Sequence, residues 1–372
     1  MLRSLRLYAG RVPAISFFVC SRCHRQVSAA TPAAVCPACA GPLCVRYDLE
    51  ALKSTAKRPG PNDIASMWRY ADVLPDVEPV TLGEGWTPLL PSRRYPSVLL
   101  KDEANNPTGS VNARGMSVAV SVARQDGRTK LAIAASGNTA SAFAAYAAAA
   151  GMDARIFMSR DVPMPDYVEG ILYGAQVTFF DGPMLDGNAS QGSFDISDPF
   201  RIEGMKTLGY ELVEQLGWNY PDAVIHPASV GRIAMPKAFD EMEQLGWVSG
   251  RRPKRIAVQC SRGSAPDSSP VEIARDSGDT VVDVSDEAML ASLRDWAQHE
   301  GLLLSPEGAA AAAAYHQLLA GGFLNPADRV VLLNPASALR SIDWVAQAIR
   351  LNRPLAKRYP QRTPVGGIIT PQ

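Results

Sequence analysis

Along most of this chain, short apolar runs alternate with longer stretches in which apolar residues recur every three or four positions. The runs read as buried strands and the longer patterns as helices. "SVLLKDEANNPTGS" predicts a strand from Val98 to Lys101 that enters a polar loop. "VNARGMSVAVSVARQDG" has helical spacing and stops at Gly127. "KLAIAASGNTASAFAAYAAAAGM" reads as a strand, a small polar turn and a helix closed by Gly151. "ARIFMSR" and "QVTFFDG" are strands on either side of the helix "PDYVEGILYGA". The second half repeats the rhythm. "RIEGMKTLGYELVEQLGW", "RIAMPKAFDEMEQLGW", "DEAMLASLRDWAQHEG" and "PEGAAAAAAYHQLLAGG" are helices; "DAVIHPAS", "KRIAVQCS" and "DRVVLLNPAS" are strands.

Strands alternating with helices predict an α/β fold of mostly parallel, doubly wound sheets with helices on both faces. Two such sheets are expected, with a cleft between them. Ligands in these folds sit beyond the carboxyl ends of strands. "ASGNT", "HPASVGR" and "NPASALRS" all occupy such ends.

Composition adds exclusions. Hydrophobic residues make up 47% and charged residues 20% of the 372 positions, as in a globular protein. Lys plus Arg number 37 and Asp plus Glu 37, which argues against a nucleic-acid or anionic-membrane surface. The alanine-rich run from Thr139 to Met152 is too short to cross a bilayer. The first residues carry three arginines and no uninterrupted apolar core, so no secretory signal is read and a cytoplasmic location is the default.

Four of the six cysteines form one pattern: Cys20, Cys23, Cys36 and Cys39. Two C-x-x-C turns separated by a polar loop offer four thiolates to one tetrahedral Zn²⁺. Two disulfides, or a ribbon that has lost its metal, are the alternatives. Four sulfur ligands leave no open position, so the site is read as structural. His24, Cys44 and Cys260 are read as surface or packing residues.

Five segments, in order, then carry a resemblance: "LGEGWTPLL", "KDEANNPTGS", "ASGNTASA", "RIEGMKTLGYEL" and "SPEGAAAAAA". Together with the cysteine-rich start they resemble threonine synthase and its relatives among the fold-type-II pyridoxal-phosphate enzymes. The resemblance implies a zinc ribbon over residues 15–50, a large α/β domain from 51–105 with 185–372, and a small one over 106–184. It also implies a homodimer.

The family's chemistry requires a lysine whose amine joins the cofactor aldehyde. The family pattern after "PTGS" is aromatic, Lys, Asp, Arg, Gly; here it reads Val111, Asn112, Ala113, Arg114, Gly115. The amide nitrogen of Asn112 has its lone pair delocalised and cannot replace an amine. Lys101, Lys206 and Lys237 lie where relatives also show charged residues. The family's glycine-rich phosphate cradle corresponds to "HPASVGRIAMPKAF", where Val230 resists the positive φ such cradles use and Arg232 offers a side chain instead. The turn that holds the pyridine nitrogen corresponds to "NPASALRS", with Pro335 near the hydroxyl position and Ser337 as a substitute.

Three departures at three contacts to one cofactor predict that pyridoxal phosphate is absent and that Asn112, His226 and Glu307 carry acid-base or electrostatic chemistry. Ser136, Gly137, Asn138, Thr139, Arg232 and Ser337 are the candidate binders of a small anionic, amino-acid-like substrate, since small polar groups at a helix N-terminus suit carboxylate or phosphate. A helix cap is the plainer reading of that turn. Arg114 and Arg160 are further anion candidates, and Asp166 and Glu169 make the charge less suited to a phosphorylated substrate. Residues 183–199 lack periodicity and read as a loop over the cleft. The expected function is a repurposed lyase, cyclase or transferase on a threonine-synthase-like scaffold. The alternatives are a non-catalytic pseudoenzyme and a genuine pyridoxal-phosphate lyase.

Overall fold

The structure, a computed structural model, describes residues 15–29, 35–135, 137–160, 162, 164–180, 194–195, 199–228, 230, 233–260 and 278–349. It begins with a three-stranded antiparallel sheet in the order β2-β1-β3: β1 Ile15–Cys20, β2 Gln26–Ser28 and β3 Leu43–Tyr47. A short helix, α1 Leu49–Lys53, leads away from it, its N-terminus capped by Asp48.

The main body is a six-stranded sheet ordered β12-β11-β10-β13-β5-β4. Its strands are β4 Leu89–Pro91, β5 Val98–Asp102, β10 Ala223–Pro227, β11 Lys254–Cys260, β12 Thr280–Val284 and β13 Val330–Asn334. All neighbours are parallel except β4, an antiparallel edge strand that ends in a proline. The sequence pattern missed β4 because three residues show no alternation; proline on an edge is tolerated because its missing N–H faces no partner. Every residue of β10 and β13 is buried, which explains their unbroken apolar runs.

A second sheet of four parallel strands has the order β8-β7-β6-β9: β6 Lys130–Ala134, β7 Asp153–Ser159, β8 Gln176–Phe180 and β9 Phe194–Asp195. The two-residue β9 pairs with β6, so this sheet draws on chain beyond residue 184. Most of the proposed loop, 183–193 and 196–198, lies outside the described residues. The fold is thus α/β with one mixed and one parallel sheet.

The helices that matter for the cleft are α2 Asn112–Gln125, α3 Gly137–Ala149, α4 Met164–Leu172, α5 Phe200–Gln215 and α6 Ala234–Gln244. Further on come α7 Asp286–His299, α8 Pro306–Ala320 and α9 Ile342–Ala348. Helix α5 is packed on two sides. A Cβ at Gly204 would lie 1.9 Å from the Arg114 carbonyl oxygen of α2, and one at Gly209 would lie 2.8 Å from Ala238 Cβ of α6. These two glycines bring three helices into close contact. The alanine run of α8 is buried against the large sheet beside Val98, Ile225, Ile256 and Leu332, and its small side chains let the helix lie close to the strands.

Two buried groups of charges lock this body. Arg114 binds Glu103 (Nε to Oε2, 2.7 Å) and Glu211 (Nη1 to Oε2, 2.8 Å), and Lys101 binds Glu211. Burial alone would raise the Glu211 carboxyl, but Arg114 and Lys101 outweigh it and hold it well below the usual range. Lys206 pairs with Glu203 at 2.6 Å and Glu241 at 2.8 Å, Lys237 with Glu203 at 3.3 Å, and the Tyr47 hydroxyl donates to Glu203 at 2.7 Å. Each group balances two cations against two carboxylates, the arrangement that makes buried charge tolerable.

Candidate active site

Asn112 is the first residue of α2 and is partly exposed. The loop before it, Pro107–Gly109 followed by Ser110 and Val111, is woven to the chain after β13. Val111 N donates to Pro335 O at 2.9 Å, Ser337 N donates to Gly109 O at 2.8 Å, and Ser110 forms a bridge with Ala336. Gly109 has φ +63°, and a Cβ there would meet Ser337 Cβ at 3.3 Å, so glycine lets the two segments touch.

Ser337 also bridges to Leu304, just before α8. There Ser305 caps the helix by accepting from Gly308 N at 3.1 Å, and its own N–H donates to Asn334 Oδ1 at 3.0 Å. Glu307 stands in the first turn of α8, partly exposed. The structure therefore brings Asn112, Ser337 and Glu307 into one neighbourhood at the carboxyl end of β13.

Gly137, Asn138 and Thr139 form the first turn of α3, all partly exposed, with Gly137 at φ +57°. A buried carboxylate fixes α3 against α2: Glu84 accepts from Ser117 Oγ at 2.6 Å, from Tyr146 OH at 2.5 Å and from Trp68 Nε1 at 2.8 Å. Burial and the Glu84 charge raise the Tyr146 phenol far above its ordinary value, so it remains a donor. Helices α2 and α3 are thus held together through Glu84.

His226 lies elsewhere. It is 1% exposed on β10, its Nδ1 3.0 Å from the Pro227 carbonyl oxygen and its Nε2 3.6 Å from Asp279, which Arg255 also reaches at 2.9 Å. Its described contacts lie within the large sheet and do not reach Asn112. Ser136 and Arg232 lie outside the described residues. Arg114, read as an anion candidate, is fully buried and committed to Glu103 and Glu211. Sequence reasoning gave no role to Arg340, Glu84 or Ser110. Arg340 and Glu84 act through contacts distant in sequence, so no local motif marks them; Ser110 lay within "PTGS" but carried no signal of its own.

The four thiols of Cys20, Cys23, Cys36 and Cys39 gather at the tip of the three-stranded sheet, every Sγ within 4.8 Å of the others. Cys20 and Cys39 are 3.5 Å apart and Cys23 and Cys36 3.6 Å, and all four are free. Disulfide sulfurs sit at about 2.05 Å. Sulfurs on a tetrahedral Zn²⁺, with bonds of about 2.3 Å, sit about 3.8 Å apart. The cluster is compatible with a metal site. A Cβ at Gly41 would lie 3.0 Å from Cys20 Sγ and 3.3 Å from Cys39 Sγ, which accounts for glycine there.

The chain is similar to known proteins over most of its length. The family described as "Pyridoxal-phosphate dependent enzyme" matches residues 80–336. Threonine synthase of Methanosarcina acetivorans is 30% identical, over 86% of this chain and 91% of its own. Threonine synthase of Methanocaldococcus jannaschii is 28% identical, over 83% of this chain and 89% of its own. Among solved structures, O-ureido-L-serine synthase superposes with a TM-score of 0.59 at 19% identity, over 70% of this chain and 92% of that one, a likeness of fold.

These matches overturn two expectations, the absence of pyridoxal phosphate and catalysis independent of it. Three contact positions depart from the family pattern, whereas the family match spans both sheets and the helices between them. The non-catalytic reading falls with them.

Proposed function

From the premise that this chain belongs to the pyridoxal-phosphate dependent enzymes, with threonine synthases among its relatives, we propose that it is a pyridoxal-phosphate dependent lyase of the threonine synthase type, acting on a small anionic amino acid. The identity of 30% over 86% of the chain carries this reading; the neighbourhood of Asn112, Ser337 and Glu307 supplies its place.

The cleft residues fit the non-covalent part of such a site. Ser110 Oγ is fully buried with no hydrogen-bond partner, and Thr108 Oγ1 is likewise without one. Two orphaned hydroxyls beside a helix N-terminus suit an oxygen-rich ligand, because buried polar groups otherwise find partners. Covalent attachment at position 112 does not fit, since Asn112 offers an amide. Of the described lysines, Lys101, Lys206 and Lys237 are buried and bound to glutamates. Lys254 is held by Asp328 at 3.6 Å, and Lys53, Lys57 and Lys130 are exposed. The cofactor would be held without a bond to residue 112, by the polar groups around it. When bound, pyridoxal phosphate would withdraw electrons from the carbon that carries the substrate's amine.

The chain's own residues then bind and orient. The first turn of α3 presents N–H groups to anionic oxygens, whereas in α2 the N–H groups of Ala113 and Arg114 already donate to the carbonyls of Ser110 and Val111. Asn112 can donate and accept hydrogen bonds but cannot take a proton near neutral pH. Glu307 is a carboxylate in reach of the same neighbourhood and the candidate for proton transfer. Separately, Cys20, Cys23, Cys36 and Cys39 hold one structural Zn²⁺ with no open position.

The test is formation of threonine from small amino acids, phosphorylated and not, by the purified chain with and without added pyridoxal phosphate. Threonine formed only with the cofactor supports the reading; equal turnover without it overturns it.

A further inference from the structure

Arg340 follows β13, in the 3₁₀ turn Ala338–Ser341. Its backbone is tied to Ser337 O at 3.2 Å, and Ser337 is tied in turn to Gly109. Its guanidinium reaches three elements. Nε donates to the Thr108 carbonyl oxygen at 2.8 Å, in the loop before α2. Nη1 donates to Ser141 Oγ at 3.3 Å, one turn into α3. Nη2 pairs with the Glu169 carboxylate of α4. Helices α3 and α4 accompany the four-stranded sheet, whereas Arg340 belongs to the chain leaving the six-stranded one. One planar fork thus joins the two bodies and the loop that leads into Asn112.

The two ends of the ion pair differ. The Arg340 side chain is 12% exposed and that of Glu169 41%. Arg340 is built in; Glu169 reaches it from the surface. The spacing of α2 and α3 is therefore fixed at two places. Behind the cleft, Glu84 joins Ser117 to Tyr146 in a fully buried contact. At the cleft, Arg340 joins Thr108 to Ser141. In sequence the Arg340 contacts, at Thr108 and Ser141, lie nearer the N-termini at Asn112 and Gly137 than those of Glu84 do.

We propose that Arg340 is a positioning residue, a clamp that holds the N-termini of α2 and α3 at the spacing their common ligand requires. Its importance to catalysis rests on the reading of that cleft as the cofactor and substrate site. The clamp needs all three directions of the guanidinium, which a lysine ammonium on a flexible stem cannot supply together.

Hydrogen exchange on the full chain tests this, comparing wild type with Arg340→Ala, Arg340→Lys and Glu169→Gln, alongside titration with pyridoxal phosphate followed by absorbance. Arg340→Ala should raise exchange by about tenfold over residues 107–116 and 137–145, with β10, β11 and β13 unchanged, and weaken cofactor binding by about tenfold. Glu169→Gln should loosen α4 alone. Arg340→Lys should restore protection to α4 and not to 107–116. The clamp is refuted if Arg340→Ala leaves both N-termini as protected as wild type, if Arg340→Lys restores everything, or if exchange rises evenly along the chain. Failure of the wild type to bind pyridoxal phosphate would instead sink the cofactor reading, while the exchange pattern would still decide the clamp.

Discussion

Gly204 of α5 faces the Arg114 carbonyl of α2 at a distance that leaves no room for a methyl group, since a Cβ would come within 1.9 Å of that oxygen. Arg114 is also the hub of the buried ion pairs to Glu103 and Glu211. Helix contact and charge pairing are therefore one construction. Gly204→Ala must push α2 and α5 apart, because the obstacle is backbone. Overpacking of this kind costs about 1–3 kcal/mol, and the upper end or beyond is expected here. Chemical denaturation should show a lower midpoint, whereas Gly127→Ala, where a Cβ meets nothing within 4 Å but φ is +72°, should show only the smaller backbone penalty.

The second charge group predicts acid sensitivity. Burial raises the Glu241 carboxyl, but Lys206 and Lys237 outweigh it and bring it down from 4.5 to about 2. A carboxyl depressed in the folded state stabilises fully above its unfolded value and loses that contribution as pH falls through the folded one. Stability should thus decline between pH 4.5 and pH 2, by on the order of 3 kcal/mol from this residue. Glu241→Gln should be less stable at pH 7, because Lys206 and Lys237 lose a partner, and should show a shallower decline over that window. An unchanged slope would remove Glu241 from the account.

For the cysteine cluster, purified chain should contain about one zinc per molecule. Cys23→Ser should lower the zinc content, and a strong chelator should release the metal and lower the melting temperature. Metal-free protein with an unaltered melting curve would argue against a metal in that cluster.

Asn112→Lys returns an amine to the head of α2. Borohydride reduction in the presence of pyridoxal phosphate, followed by peptide mass spectrometry, should find no adduct on the peptide carrying residue 112 in wild type and an adduct in the variant. If the wild-type protein is labelled at another lysine of the cleft, the proposal of a cofactor unattached to the chain fails.

Much of this architecture could be read from the sequence because the buried parallel strands have unbroken apolar runs and the helices that cover them end in glycine. Gly127, Gly151 and Gly174 each close the predicted element with positive φ. The candidate site was legible only where it is local. "PTGSVNARG" and "ASGNT" announce two helix N-termini; the contact of Ser337 with Gly109 joins residues 228 positions apart and has no sequence signature. The same blindness misjudged Arg114, whose partners Glu103 and Glu211 lie on other elements. Reasoning from three cofactor contacts to the loss of the cofactor failed for a related reason. Those three contacts are a small part of a binding site, most of which is framework.

Finally, the small antiparallel sheet at the start of the chain is no appendage. Phe18, Val27, Leu43, Val45 and Tyr47 share one apolar cluster with Leu208, Val213, Phe239 and Met242 of α5 and α6. Tyr47 also lies under the ammonium groups of Lys206 and Lys237, 4.6 and 5.2 Å from its ring centre. A chain shortened to its α/β body would expose that wall of side chains to water and leave Glu203 without its phenol. The two parts must be produced together, and a truncated body would be expected to aggregate.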